Sequence, residues 1–125
     1  CVESVIAFSA PTALPRAPAH LLGLINADGR GALAVVDAAR LLGLERPEID
    51  RDTARIVVMV ARGCRMGLVC DQALGIEWID TAGALETSVI GARALREVTR
   101  SEFELKLGPL AVLDPGRLVE KARVV

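Results

Sequence analysis

Two apolar runs meet across a polar turn early in the chain, and the rest of the pattern is built around that junction. Residues 21–25 and 32–36 are rich in Leu, Ile, Val and Ala, and Asp28-Gly29 lies between them. An Asp-Gly pair flanked by apolar runs is a hairpin signal, because glycine reaches positive φ without steric cost. Strand, turn and strand are therefore predicted. Asp37 follows the second run where a carboxylate caps free backbone N–H groups. Residues 38–42 form the helix it caps, and Gly43 stops that helix.

The second half of this unit recurs. Residues 31–42 (GALAVVDAARLL) align with 108–119 (GPLAVLDPGRLV), with seven of twelve positions identical, including Asp37 with Asp114 and Arg40 with Arg117. Two related halves are expected, each closed by a strand, an aspartate cap and a short helix. In the second copy Pro115 takes the first helical position, where its missing N–H is not needed.

Elsewhere the pattern is mostly of short strands. Residues 2–8 (VESVIAF) read as a strand, followed by a connector punctuated by Pro11, Pro15 and Pro18 that cannot be helical. Residues 45–52 form a charged loop. The unbroken apolar run 56–60 has no alternation, so it reads as a central strand covered on both faces. Arg62-Gly63-Cys64 turns the chain into a further strand at 65–71. Residues 75–79 (GIEWI) alternate and predict another strand with Trp78 on one face, and 81–91 reads as a loop of small residues. Residues 93–99 and 103–107 are weaker strand candidates. Many short strands and two short helices point to a barrel-type all-β protein.

Composition narrows the classes. The chain of 125 residues is one domain by size. With 52% hydrophobic and only 2% aromatic residues, its core is aliphatic. Fifteen basic against sixteen acidic residues give a net charge of −1, which provides no field for nucleic acid or anionic lipid. No apolar run approaches the ~20 residues that span a bilayer, and no basic segment followed by a long apolar stretch marks a secretory signal. Neither nucleic acid binding nor direct membrane insertion is expected, and a cytoplasmic location is the default.

Candidate chemistry is sparse. The three cysteines make no CxxC pair. On one strand, at ~3.3 Å per residue, Cys64 and Cys70 would lie roughly 20 Å apart, beyond the ~7 Å limit for a disulfide. His20, the only histidine, sits beside the prolines, away from any evident nucleophile. Asp37 and Asp114 read as helix caps rather than as a catalytic pair. No glycine-rich phosphate cradle occurs, and Phe8, Trp78 and Phe103 are too few for a base-stacking platform. No catalytic residue, metal site or cofactor is expected.

The succession GLINADGRGALAVVDAARLLGL, RIVVMVARGCRMGLVCDQALGI and GPLAVLDPGRLVEK resembles the CheW-like domain of bacterial chemotaxis coupling proteins. Gly23, Asn26 and Gly29 match that family's Gly-x-x-Asn-x-Arg-Gly turn, and Asp37 its strand ending in Asp. Gly67, Leu68, Val69 and Asp71 match its later Val-Gly-Leu-x-Val-Asp-like strand. The resemblance covers nearly the whole chain. It implies two intertwined SH3-like five-stranded β-barrels, with short helices after the Asp37 and Asp114 strand ends, and a non-enzymatic adaptor. Such an adaptor links the cytoplasmic tip of a chemoreceptor to the regulatory domain of a CheA-like histidine kinase. The family's receptor-facing surface maps onto Val2, Ser4, Val5, Gly23, Asn26, Asp28 and Gly29.

This chain departs from the family pattern at three points. Asp28 stands where Arg is usual, and Ser4 where an acidic residue is common. Family members also carry a strand and turn, ~20 residues for a hairpin, ahead of the segment resembling residues 2–6. A chain starting at Cys1 would lack that first hairpin and expose a strand edge, so that a second copy pairs there as a homodimer. Two alternatives stand beside the adaptor: a regulatory CheW-like domain cut from a CheA-like kinase, and a thiol-dependent enzyme or redox sensor using Cys64 or Cys70.

Overall fold

A computed structural model describes residues 1–27, 29, 31–106 and 108–123. In chain order its elements are β1 (Val2–Ala7), β2 (Leu21–Asn26), β3 (Ala32–Asp37), α1 (Ala38–Leu41), β4 (Arg55–Ala61), β5 (Cys64–Cys70), a 3-10 turn (Thr81–Gly83), α2 (Arg93–Glu97), β6 (Thr99–Leu105), β7 (Gly108–Leu113) and α3 (Pro115–Arg123). The protein is mostly β, with short helices after Asp37 and Asp114, as the sequence predicts. A five-stranded sheet runs β1-β4-β5-β3-β2, and β6 and β7 form a second, two-stranded sheet. Neither sheet closes on itself through strand pairing among the described residues.

The predicted β2–β3 hairpin is antiparallel. Asp28 of its turn lies outside the described residues. β4 is interior, between β1 and β5, as its continuous apolar run requires. It joins β5 through the two-residue turn Arg62-Gly63, both residues left-handed with φ of 51° and 71°, the geometry whose twist matches antiparallel strands. β3 and β5 are parallel, and this pair seats the first hairpin against the second.

The five-stranded sheet is buried on both faces. On one, Leu33, Val35, Ile56, Val58 and Val69 form a core with Ile6, Phe8, Leu22, Ile25 and Ile49 packed around it. On the other, Val36, Met59, Met66 and Leu68 pack against Leu41, Leu42, Val98, Leu118 and Val119 from the helices and from the start of the second sheet. Each fully buried Val, Leu or Ile contributes ~1.5–3 kcal/mol relative to exposure, so aliphatic residues supply most of the core, with Met59, Met66 and the rings of Phe8 and Phe103 added to it.

The repeat extends further in space than in sequence. Asp37 accepts from Ala39 N (3.1 Å) and Arg40 N (3.5 Å), and Asp114 accepts from Arg117 N (3.2 Å). Asp37 N donates to His20 O (2.7 Å), and Asp114 N donates to Val98 O (2.8 Å). Each preceding strand has an irregular register near its start, between Leu21 and Gly23 in β2 and between Thr99 and Ser101 in β6. The matching arginines also reach back, Arg40 Nη1 to Ala19 O (3.2 Å) and Arg117 Nη1 to Thr99 O (3.4 Å). The repeated unit is thus bulged strand, strand, aspartate cap and helix.

Two strand expectations are corrected. Residues 75–79 are not a strand, and Trp78 is fully exposed; alternation marks a residue pattern but does not provide a neighbouring strand to bond. Residues 93–97 are helical, and the β-structure resumes only at Thr99. Here Leu95 packs toward the main core while Arg93 pairs with Glu97 one turn along (3.1 Å), a contact that helical spacing creates.

Candidate partner-binding surface

The residues singled out for partner binding fall on the two terminal strands of the five-stranded sheet. Val2, Ser4 and Val5 are on β1; Gly23 and Asn26 are on β2; Gly29 follows in the turn; and Asp28 lies outside the described residues. Strands β4, β5 and β3 stand between the two groups in the pairing order, so no strand hydrogen bonding joins them.

β1 presents apolar side chains outward. Val2 is 60% and Val5 49% exposed. Val2 pairs with Met59 and Val5 with Val57, and directly paired residues share a sheet face. Both valines therefore continue, at the edge, the core face on which Met59 and Val57 pack. Ser4 turns the other way, toward Ile6 and Phe8, and its hydroxyl is buried without a hydrogen-bond partner among the described residues. Glu3 meets Arg65 of β5 at 3.0 Å. β1 pairs only with β4, so its other edge carries no strand among the described residues.

Gly23 has a structural task. Thr12 crosses β2 and exchanges two hydrogen bonds with Leu24, at 2.9 and 3.0 Å. A Cβ on Gly23 would lie 2.1 Å from Thr12 O, and φ is +144°. Only glycine lets the connector approach this closely. Asn26 ends β2 opposite Ala32 and is exposed, as is Gly29.

The candidate chemical groups occupy other places. His20 lies beside α3, with Nε2 2.9 Å from Ala122 O. Cys64 and Cys70 stand at opposite ends of β5 as free thiols. Burial pushes the Cys70 thiol above its ordinary value, and its S–H donates to Arg55 O (3.6 Å). The most buried carboxylate, Asp37, is consumed by capping and by Arg46. Sequence reasoning missed Arg46 and Glu102. Glu102 accepts from Val89 N (2.9 Å), and its backbone carbonyl accepts from Leu85 N (2.8 Å), which fastens residues 85–89 to β6. Nothing local in TRSEFEL distinguishes Glu102 from Glu104, so the sequence carried no signal for it.

The CheW-like domain family matches residues 1–123 of this chain. Among solved structures, the scaffolding protein TtCheW from Thermoanaerobacter tengcongensis superposes with a TM-score of 0.81 at 19% identity, covering 94% of this chain and 74% of that one. That likeness is one of fold. No curated protein sequence matches significantly.

Proposed function

The chain belongs to the CheW-like domain family, and from that premise we propose that it is a non-enzymatic adaptor of chemotaxis-type signalling. In this reading it couples the cytoplasmic tip of a chemoreceptor to the regulatory domain of a CheA-like histidine kinase, in the cytoplasm. The observation that carries the reading is the exposed apolar edge of β1, where Val2 and Val5 continue a core face into solvent. An edge strand with apolar side chains is suited to strand-to-strand contact with another β-domain. The Cys70 thiol, raised by burial, opposes a thiolate nucleophile at that position.

Calorimetry against a CheA-like regulatory domain at low and high ionic strength tests this. Apolar and backbone contacts predict weak salt dependence, and a loss of more than about tenfold would sink that basis of binding. Val5→Asp should abolish binding while leaving the circular dichroism spectrum unchanged. The same edge would seat a second copy by antiparallel pairing, and light scattering over a range of concentrations separates self-association from kinase binding.

A further inference from the structure

Asp37 lies in the middle of a chain of hydrogen bonds that begins on α3 and ends in the loop beyond α1. His20 Nε2 stands 2.9 Å from Ala122 O, in the last turn of α3. A carbonyl oxygen only accepts, so Nε2 carries the proton and donates it. The backbone carbonyl of the same histidine accepts from Asp37 N at 2.7 Å. The Asp37 carboxylate then takes Nε and Nη2 of Arg46, whose Nη1 donates to Pro47 O at 2.8 Å. Arg40 doubles the middle link, with Nη1 3.2 Å from Ala19 O and Nε 3.6 Å from Asp37.

The two ends of this chain lie on opposite faces of the five-stranded sheet. Leu118, Val119 and Ala122 of α3 pack in one core and Ile49 of the loop in the other, and the two cores have no residue in common among those described. Side-chain packing therefore gives α3 little hold on the loop, and the polar chain through buried Asp37 is the direct connection. Capping alone does not require it, as the second repeat shows. There Asp114 N donates to Val98 O, but valine has no side-chain donor to carry the chain onward. The Asp114 carboxylate meets Arg100 of its own hairpin and reaches no distant loop.

We propose that His20, Asp37 and Arg46 form a relay that makes the last turn of α3 and residues 45–49 one conformational unit. Hydrogen-bond and salt-bridge networks between packed elements carry coupling of this kind. Asp37 is fully buried and the Arg46 side chain is only 14% exposed, so water does not replace a lost partner. A partner that grips or loosens the end of α3 thereby alters, on the opposite face, a cleft of about 750 Å³ framed by Phe8, Leu22, Arg40, Pro47, Ile49 and Arg51. The coupling runs equally in reverse, because linkage between two sites is reciprocal. His20 and Arg46 are positioning residues in this device, each acting through Asp37. The relay stands apart from the adaptor reading, and its test needs no partner.

The test breaks one end and reads the other by NMR on the full chain. His20→Phe removes the ring donor, and the Arg46 Nε–H proton should then exchange with water at least about fivefold faster. His20→Gln keeps a side-chain N–H donor and should restore slow exchange. From the other end, Arg46→Gln should speed amide exchange in the last turn of α3 by a similar factor, which reads the relay even where His20→Phe does not fold. Amides of β6 and β7 are the reference, since a global loss of stability accelerates them too. A change that stays at the mutated end overturns the proposal, and so does an acceleration shared equally by β6 and β7. Failure of His20→Gln to restore slow exchange overturns it as well, because ring packing rather than the hydrogen bond would then be the link.

Discussion

The guanidinium of Arg46 lies across the carboxylate of Asp37 and bonds both oxygens, Nε to Oδ1 at 3.3 Å and Nη2 to Oδ2. Asp37 is completely buried, and the same carboxylate caps α1. One side chain therefore ends β3, starts α1 and holds the loop that follows. Asp37→Ala should cost ~3–5 kcal/mol in urea unfolding, because it strands a largely buried guanidinium and also removes a cap. Arg46→Ala should cost less, since Arg40 Nε remains 3.6 Å from Asp37. A double-mutant cycle giving no coupling between the two would show that the pair is incidental.

Gly23→Ala should destabilise by about 3 kcal/mol, combining an unfavourable φ with a backbone collision at Thr12. Amide hydrogen exchange should then speed up at Thr12 and Leu24, whose mutual bonds must open to admit the methyl group. A stable variant with unchanged exchange would contradict this crossing of the connector over β2.

Stability should fall in acid, and the sign follows from three carboxylates held below their ordinary range. Asp114 is held there chiefly by Arg117 N–H, Glu97 by Lys121, and Glu102 by the Ser88 hydroxyl, followed by the N–H groups of Val89 and Ile90. A depressed folded value means that the unfolded chain binds protons more readily. The stabilisation is then complete above the ordinary carboxylate range of about 4 and is lost as pH falls through the folded values. Thermal melts from about pH 2 to pH 6 should show this slope, and Glu102→Gln should flatten it.

Arg62 occupies a left-handed position (φ 51°) and pairs with Glu120 of α3 at the exposed surface. Asparagine adopts that backbone more readily, whereas an exposed ion pair contributes only ~0–1 kcal/mol. Arg62→Asn should therefore leave stability within ~0.5 kcal/mol of the parent or raise it, while Arg62→Val should cost ~1–2 kcal/mol. Equal melting temperatures for the two variants would argue against a strained turn.

What could be read in the letters was local. Residues 31–42 and 108–119 announced the repeated strand, cap and helix because the same few side chains do the same work twice. Their partner strands could not be matched, since residues 21–26 and 99–104 share no identical residue. There the likeness lies in a bulge and a backbone hydrogen bond, which many sequences satisfy. The interior position of β4 was legible from its unbroken apolar run. Residues 75–79 misled because alternation specifies a strand face without specifying a neighbour. The candidate surface was read through resemblance, and it divides between β1 and β2, while Gly23 proves to be fixed by Thr12. Arg46, nine residues beyond Asp37, carried no signal because nothing local distinguishes it from the other charges of its loop.

The pairing of β1 with β4 has a consequence in time. Val2 meets Met59, so at synthesis rates of ~5–20 residues per second β1 waits roughly 3–11 s for its partner. β4 and β5, by contrast, close through two residues and can zip within microseconds. During translation the β4–β5 hairpin is thus the template, and β1 is an early-made, aggregation-prone ribbon that joins it late. Chaperone capture of the nascent chain should therefore centre on β1 and end once β4 has cleared the ribosome.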